Sequence, residues 1–164
     1  MNERVGMGYD VHSCEVGRPL VLGGVRLESE WGLLGHSDAD VIAHAIGDAL
    51  LGAASLGDLG SWFPPADPRW KDVSSLVLLR DIASRLRGQG YRIGNVDATL
   101  LADAPKISPH RDAMRAALAE ALGISADQVS VKATTNEGLG FVGRREGLAA
   151  LAIARILKVG YTPS

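Results

Sequence analysis

The sequence is poor in cysteine, in excess charge and in long apolar stretches, and each shortage excludes a class of protein. Cys14 is the only cysteine among 164 residues, so no disulfide can form within the chain and a reducing compartment is expected. A formal net charge of −2 gives no electrostatic reason to expect nucleic acid or an anionic membrane as a partner. No stretch reaches the roughly 20 apolar residues of a membrane span, and we find neither a signal peptide nor a transit peptide. We therefore expect a cytoplasmic protein.

The remaining composition is that of a globular protein. Hydrophobic residues make up 46% of the chain and charged residues 22%, which are ordinary values for a folded domain. A length of 164 residues suits one domain with its own core, so residues 1–164 are predicted to form a single domain. The sequence contains no internal repeat and no low-complexity segment.

Apolar patterning predicts that strands and helices alternate along the chain. Strands are predicted over residues 4–11, 19–27, 91–101 and 128–134, and helices over 39–55, 73–88 and 109–122. The apolar run 147–159 fits a helix by its alanines and a strand by its position after a glycine-rich turn. The order predicts one α/β domain of the α+β type, with a mixed sheet of about four main strands and the helices on one face.

Finer features of this pattern concern the first helix and the strand before it. Ser37 or Asp38 is predicted as the helix N-cap, because either side chain can accept a hydrogen bond from a free backbone N–H group. Within this helix, polar residues recur every four positions at Asp40, His44 and Asp48 and therefore share one stripe. Such a stripe is usually the solvated face of a helix. The glycine pair at 23–24 in the second strand indicates a bulge or a close backbone approach.

Asp10 and His12 carry the first chemical signal. They are two residues apart in a predicted strand, so their side chains leave the same face. With His44 they would supply three ligands to a divalent metal and leave a fourth position open, which is typical of catalytic rather than structural zinc. The alternative is a chance triplet beside a solvated helix face. Cys14 fits either a fourth ligand or an inert buried thiol.

A second signal is the stretch from 132 to 144, which follows a predicted strand. It carries hydroxyl groups, a carboxylate, three glycines and Arg144. Backbone N–H groups of such a loop can bind phosphate oxygens, and Arg144 can hold a phosphate with two hydrogen bonds. Taken alone, the stretch fits an ordinary turn equally well. The glycine- and proline-rich loop 57–68 similarly fits either a functional loop or a linker.

Six motifs together resemble one family over residues 4–158. In chain order they are GYDVHS, GHSDADV, SLGDLG with FP and DP after it, GNVD, APK and KATTNEGLGFVGR. This series is similar to the 2-C-methyl-D-erythritol 2,4-cyclodiphosphate synthases. The resemblance implies a homotrimer with active sites between adjacent subunits, and it implies that the run 147–159 is a strand. The implied reaction converts 4-diphosphocytidyl-2-C-methyl-D-erythritol 2-phosphate to the cyclic diphosphate and CMP, in the non-mevalonate isoprenoid pathway.

The resemblance also implies a role for individual residues. The implied zinc ligands are Asp10, His12 and His44, and the implied ligand of a second cation, magnesium or manganese, is Glu137. The implied catalytic residues beside the reacting phosphorus are His36 and Thr135. The implied contacts to the methylerythritol phosphate are Asp58, Leu59, Gly60, Phe63, Pro64, Pro65, Ala66 and Asp67. The implied cytidine pocket consists of Ala102, Asp103, Ala104, Pro105, Lys106, Ile107, Ser108 and Thr134.

Further implied contacts lie at the edges of this site. The substrate-binding set is completed by Ser37 and Asn136, together with Asp10, His12, His36, Thr135 and Glu137. Residues implied to line a cavity on the trimer axis, where an isoprenoid diphosphate can bind, are Phe141 and Arg144. The pair Pro65-Ala66 departs from the family pattern, which has an acid and a hydroxyl there in some members, and Asn136 stands where threonine is frequent.

Two alternatives to the synthase stay open on the residues alone. A zinc phosphohydrolase would use the open metal position for a water molecule and would release linear products. A non-catalytic trimer that binds an isoprenoid or a nucleotide would need a fourth zinc ligand, for which Cys14 is the nearby candidate. Outside the metal trio, Asp48 is predicted to orient a ligand histidine, and Trp70 is predicted to be a packing or loop anchor.

Overall fold

A mixed sheet with helices on one face forms the framework of the protein. The computed structural model describes residues 2–159; Met1 and residues 160–164 of the predicted 1–164 domain lie outside the described residues. The strands are β1 Glu3–Val16, β2 Leu20–Leu22, β3 Val25–Leu27, β4 Trp31–Leu33, β5 Tyr91–Leu101, β6 Val129–Thr134 and β7 Gly147–Lys158. The helices are α1 Val41–Ala54, α2 Leu59–Trp62, α3 Ser75–Gly88, α4 Arg111–Leu122 and α5 Gly140–Gly143. Short 3₁₀ turns span Pro68–Trp70, Ser108–His110 and Ala126–Gln128.

The sheet has five strands in the order β4-β1-β7-β5-β6. Four of them are long, and β4 adds a short edge of three residues, so the predicted sheet of about four main strands is confirmed. β5 and β6 are parallel, whereas β7 is antiparallel to both of its neighbours. The ambiguous run at 147–159 therefore forms a strand, as the family resemblance implied, and this strand lies at the centre of the sheet. Its helix-facing side is formed by small residues, among them Ala150, Ala152 and Ala154.

Helix α1 lies directly against β1 because two glycines remove the side chains between them. A Cβ atom added at Gly6 would lie 2.1 Å from the carbonyl oxygen of Ala49, and one at Gly8 would lie 2.0 Å from that of Ala45. Apart from its polar side chains and Gly52, almost every residue of α1 is buried. The helix therefore occupies the centre of the core, and β1 residues with even numbers face it.

The first helix begins later than predicted. Asp40 is the N-cap instead of Ser37 or Asp38, and its carboxylate accepts hydrogen bonds from the N–H groups of Ile42 and Ala43, both at 3.2 Å. Its side chain is fully buried. The usual interpretation of such a stripe, a solvated helix face, therefore does not apply at this position.

The burial of Asp40 is explained by the hairpin of β2 and β3. The same carboxylate accepts hydrogen bonds from Gly23 N–H at 2.9 Å and Gly24 N–H at 2.6 Å. These glycines form the turn, with φ angles of +57° and +77°, so the single strand predicted over 19–27 is wrong. Burial and the nearby Asp38 carboxylate raise the pKa of Asp40 to about 6, while the N–H donors oppose that shift.

The sheet face opposite the helices is apolar and exposed. We call it the open sheet face, and it is defined by Val5, Met7, Tyr9, Val11, Leu151 and Ile153. Met7 is 70% exposed, and its cross-strand partner Ile153 is 51% exposed. Contiguous apolar surface of this kind marks a contact site in soluble proteins. Among residues 2–159, no helix has the length and apolar character required to cross a bilayer.

We expect opposite effects from the same substitution at two glycines. Gly6→Ala forces a methyl group into the backbone of α1 and should lower the free energy of unfolding by about 1–3 kcal/mol or more. Gly52→Ala adds a methyl group to an exposed position of α1 where the nearest atom is 4.0 Å away. It should raise the free energy of unfolding by about 0.4–1 kcal/mol. Urea unfolding checks both values, and equal effects would contradict the close packing of α1 on β1.

Candidate active site

Three side chains from β1 and α1 meet at one point. Asp10 and His12 leave β1 on the side that faces α1, and His44 lies one turn into that helix. The Oδ2 atom of Asp10 lies 2.9 Å from His12 Nε2 and 3.0 Å from His44 Nδ1. The two ring nitrogens are 3.1 Å apart. The trio predicted from spacing is thus brought together by the fold.

The other ring nitrogens have hydrogen-bond partners that point away from this centre. His12 Nδ1 lies 2.7 Å from the carbonyl oxygen of Leu34, to which it donates, so Nε2 is left with its lone pair. His44 Nε2 lies 2.9 Å from the hydroxyl oxygen of Ser75 and 3.1 Å from that of Ser37. Each imidazole therefore presents one nitrogen to Asp10 and has the other fixed.

The donor set fits a divalent metal ion. One carboxylate oxygen and two imidazole nitrogens lie within 4.8 Å of one another. This is the ligand chemistry of a three-ligand site with an open fourth position, for which zinc, with its tetrahedral preference, is a typical occupant. Within the described part of the chain, Cys14 does not belong to this group.

Asp10 and the two histidines shift the pKa values of the trio when no metal is bound. Burial raises the pKa of Asp10, but its polar contacts with His12 and His44 outweigh burial and hold that pKa well below its ordinary value. Burial lowers the pKa of His12, but the hydrogen bond and the negative charge of Asp10 raise it above 6.5 overall. A metal cation at the same place would take over the role of the imidazolium.

A cavity of about 260 Å³ opens beside the trio. It brings together predicted site residues from three segments, namely Asp10, His12, His36, Ser37, His44, Leu59, Gly60, Phe63 and Pro65. The Nε2 atom of His36 is buried and has no hydrogen-bond partner among residues 2–159. Apolar walls and a few polar groups are the usual composition of a small-molecule site.

The cavity also contains two residues that sequence reasoning did not place there. Trp70 and Leu78 line it, and Trp70 packs edge-on against Phe63 with ring centroids 5.0 Å apart. The prediction of a packing role for Trp70 is thus incomplete. Its position directly after the FP and DP motifs was the available signal.

Other residues of the predicted loop turn away from the cavity. Asp58 caps α2 by accepting the N–H of Ser61 at 2.8 Å, and Asp67 forms an ion pair with Arg69 at 2.6 Å. The cavity lining includes neither of them, nor Pro64 or Ala66.

Asp48 holds the cavity wall and does not contact the ligand histidine. Its Oδ1 atom accepts a hydrogen bond from Leu59 N–H at 2.7 Å, which fixes the start of α2. The prediction that Asp48 orients a ligand histidine is therefore wrong. The partners of His44 are instead the serine hydroxyls, one of which lies 31 residues further along the chain.

A second cavity, of about 220 Å³, lies at the ends of β5 and β6. Its predicted residues are Ala102, Asp103, Pro105, Lys106, Ile107, Ser108, Thr134 and Thr135, and its additional ones are Arg111 and Ala133. The lining does not include Ala104. Asp103 accepts hydrogen bonds from the N–H groups of Asn136 at 2.8 Å and Gly138 at 3.1 Å, which fixes the glycine-rich loop.

Glu137 belongs to the region of the second cavity. Its Oε1 atom accepts a hydrogen bond from Thr135 Oγ1 at 2.6 Å, and it does not join the group formed by Asp10, His12 and His44 within the described residues. The two cavities have no lining residue in common in residues 2–159. Arg144, which is exposed, forms an ion pair with Glu146 at 2.8 Å. A single chain therefore does not bring all predicted site residues together.

Comparison with known proteins identifies the family. The model of the YgbB family matches residues 3–157. The chain belongs to the YgbB family. The resemblance drawn from the six motifs is confirmed, because a relative from Thermosynechococcus vestitus named 2-C-methyl-D-erythritol 2,4-cyclodiphosphate synthase is 58% identical over 154 residues, 94% of this chain and 96% of that protein.

Other members of the YgbB family show two contexts for the domain. A bifunctional enzyme IspD/IspF from Anaeromyxobacter sp. (strain Fw109-5) is 63% identical over 155 residues, 94% of this chain, and this chain spans only 40% of that enzyme's length. A solved structure of IspF from Plasmodium falciparum in complex with CDP has a TM-score of 0.85 and 34% identity, and covers 97% of this chain and 98% of its own. These matches support the fold.

We expect Asp10→Asn to lower the pKa of His12 in the metal-free protein. The amide removes the charge and the hydrogen bond that raise this pKa, whereas burial, which lowers it, remains. The raised pKa also means that this pair stabilises the wild type most below pH 6.5 and that its contribution is lost as pH rises through the folded-state pKa. NMR titration of the imidazole C–H signals measures the change, with His110 as an internal control. An unchanged His12 pKa would refute the pairing.

Proposed function

We propose that this chain converts 4-diphosphocytidyl-2-C-methyl-D-erythritol 2-phosphate to 2-C-methyl-D-erythritol 2,4-cyclodiphosphate and CMP. The observation that carries the proposal is the convergence of Asp10, His12 and His44 on one cavity, in a chain of the YgbB family. The reaction belongs to the non-mevalonate route to isoprenoid precursors. We place it in a single domain and in the cytoplasm, the latter from the single cysteine of the sequence.

Asp10, His12 and His44 would hold zinc beside the cavity, and Glu137 would hold magnesium or manganese. Bound there, the two cations would draw electron density from the β-phosphate and neutralise the charge that develops on the departing CMP. The convergence of one nitrogen from each ring on Asp10 supports this assignment, because His12 Nε2 and His44 Nδ1 both lie within 3.0 Å of Asp10 Oδ2. Both metal identities are proposals that follow from the donor chemistry and the family.

The substrate supplies its own nucleophile, the 2-phosphate, so the protein needs no activated serine or cysteine. What remains is positioning and charge neutralisation, as in other phosphoryl transfers. Good alignment of two reacting groups lowers the barrier by up to about 7–11 kcal/mol. The apolar walls formed by Leu59, Phe63 and Leu78 would hold the methylerythritol portion and exclude water.

His36 and Thr135 are proposed to flank the reacting phosphorus. The buried Nε2 atom of His36 has no partner in the described part of the chain, so a phosphate oxygen would complete its hydrogen bonding. Thr135 is exposed beside Glu137 on the loop after β6. We propose that the second cavity, with Lys106 at its edge and the backbone of residues 102–108, holds the cytidine.

We further propose a homotrimer with each active site between two subunits. Two observations support it, the apolar open sheet face and the separation of the two cavities within one chain. A neighbouring copy that covers this face would bring its Glu137 and Thr135 towards the trio of the first copy. Phe141 and Arg144 would then lie near the axis, where an isoprenoid diphosphate could bind.

We expect the purified protein with zinc and magnesium to release CMP from the proposed substrate and to form a cyclic diphosphate. Phosphorus NMR identifies both products in one spectrum. Asp10→Asn should abolish both, because it removes the one carboxylate of the metal site. CMP with linear phosphates would indicate a hydrolase, and zinc binding without turnover would indicate a binding protein; either result overturns the proposed reaction.

We expect Met7→Glu to dissociate the trimer. A carboxylate at the centre of the open sheet face would be buried without a partner in the assembly, which is strongly unfavourable. Val77→Glu is the matched control, since Val77 is also an exposed apolar residue but lies on α3, away from that face. Sedimentation equilibrium should give a monomer mass for the first variant and a trimer mass for the second. A trimer for both would rule out this face as the interface.

A further inference from the structure

We propose that Ser75 is a positioning residue of the metal site, which fixes His44 in the tautomer that can bind a metal. The proposal concerns the site assigned above, so it rests on the proposed function for its role in catalysis. The hydrogen bonds that carry it belong to the chain itself. They link His44 on α1 to the first residue of α3 and to the loop before α1.

The geometry determines which atom donates in each hydrogen bond. Asp38 accepts a short hydrogen bond from the hydroxyl group of Ser75 and a second one, at 2.9 Å, from Ser75 N–H. The Ser75 hydroxyl has a single hydrogen, and its hydrogen bond to Asp38 uses it. The same oxygen lies 2.9 Å from His44 Nε2. With its hydrogen already used, this oxygen can only accept from His44, and Nε2 must carry the proton.

The consequence for the ring lies at its other nitrogen. A neutral imidazole carries one proton, so a proton on Nε2 leaves Nδ1 of His44 with a free lone pair. Nδ1 is the atom that lies 3.0 Å from Asp10 Oδ2 and 3.1 Å from His12 Nε2. Ser75 thereby presents the ligand atom to the metal site without lining the cavity itself.

Ser37 also contacts Nε2, at 3.1 Å, but it cannot fix the tautomer in the same way. Its oxygen is 3.4 Å from Ala39 N–H, and its side chain lines the active-site cavity. With no carboxylate to take its hydrogen among the hydrogen bonds found here, the Ser37 hydroxyl can either donate or accept. Ser75, in contrast, is fully buried and is tied to Asp38 through both its backbone and its side chain.

The position of Ser75 ties the metal site to the start of α3. Ser74 caps that helix, and Ser75 is its first residue. Asp38 also accepts a hydrogen bond from Asp40 N–H at 3.2 Å, and its own N–H donates to Val73 O at 3.1 Å. The carboxylate is thus held on several sides, and partners of this kind typically change metal affinity by about 10–100-fold when they are removed.

The test uses the metal-free protein first. Long-range ¹H–¹⁵N NMR of the histidine side chains at alkaline pH reads the tautomer of each neutral ring. We expect His44 to be protonated at Nε2 in the wild type and to become a mixture of tautomers in Ser75→Ala. A wild-type His44 protonated at Nδ1 overturns the proposal without any variant.

Zinc affinity provides the second measurement, by competition with a chromophoric chelator. Ser75→Ala should bind zinc about 10–100-fold more weakly, and Ser75→Thr, which keeps the hydroxyl, should recover most of that loss. Ser74→Ala is the matched control, because it removes a serine hydroxyl from the same helix end but leaves His44 untouched. It should lose helix stability and retain zinc affinity.

The possible results distinguish a purely structural role of Ser75 from a role in positioning His44. Equal zinc affinity in Ser75→Ala and the wild type, with both folded by circular dichroism, overturns the proposal. An equal loss in Ser74→Ala also overturns it, since the effect would then come from helix stability. Neither measurement uses the substrate. A protein that shows the expected tautomer and affinities but makes no cyclic diphosphate would keep this inference and lose the proposed function.

Discussion

The contact between α1 and β1 is the constraint on which the rest of the structure depends. At Gly6 and Gly8 the helix backbone touches the strand, since any larger residue would collide with carbonyl oxygens of α1. The close approach of α1 to β1 places His44 within hydrogen-bond reach of Asp10 and His12. The metal site is therefore a product of core packing, and its precision comes from rigid elements on both sides.

Acidic residues within α1 and just before it hold the neighbouring segments in place. Asp40 holds the turn between β2 and β3, Asp48 holds the start of α2, and Asp38 holds the start of α3. Each carboxylate accepts backbone N–H groups that would otherwise be unsatisfied at a turn or a helix end. The walls of the cavity are thus attached to the helix that carries one of its ligands. Because these contacts join distant segments, the positions of the cavity walls and of His44 depend on one another.

The sequence predicts the helices, the strands and the metal trio better than it predicts the hydrogen bonds that join distant segments. Strand alternation is a local property, so the shared face of Asp10 and His12 follows from their spacing. The contact of Ser75 with His44, in contrast, joins residues 31 apart and depends on where α3 begins. Asp40 and Asp48 could not be assigned from the sequence for the same reason. Their spacing of four also fits a solvated helix face, and only the fold shows that a hairpin contacts Asp40 and that α2 contacts Asp48. The assignment of β7 as a strand needed the family resemblance, since alanines on a tightly packed strand resemble those of a helix.

The position of β7 has a consequence for how the chain is completed during synthesis. Of the described elements it is the last in the sequence, yet β1 and β5 are joined in the sheet only through it. A nascent chain that has not emerged beyond Lys158 therefore has two unconnected strand edges, and α1 lacks the part of its packing surface that β7 provides. Because pairing between distant segments is slow and exposes apolar strands, folding must wait for this last strand. A stop codon shortly before residue 147 would remove one strand from the sequence and leave no continuous sheet.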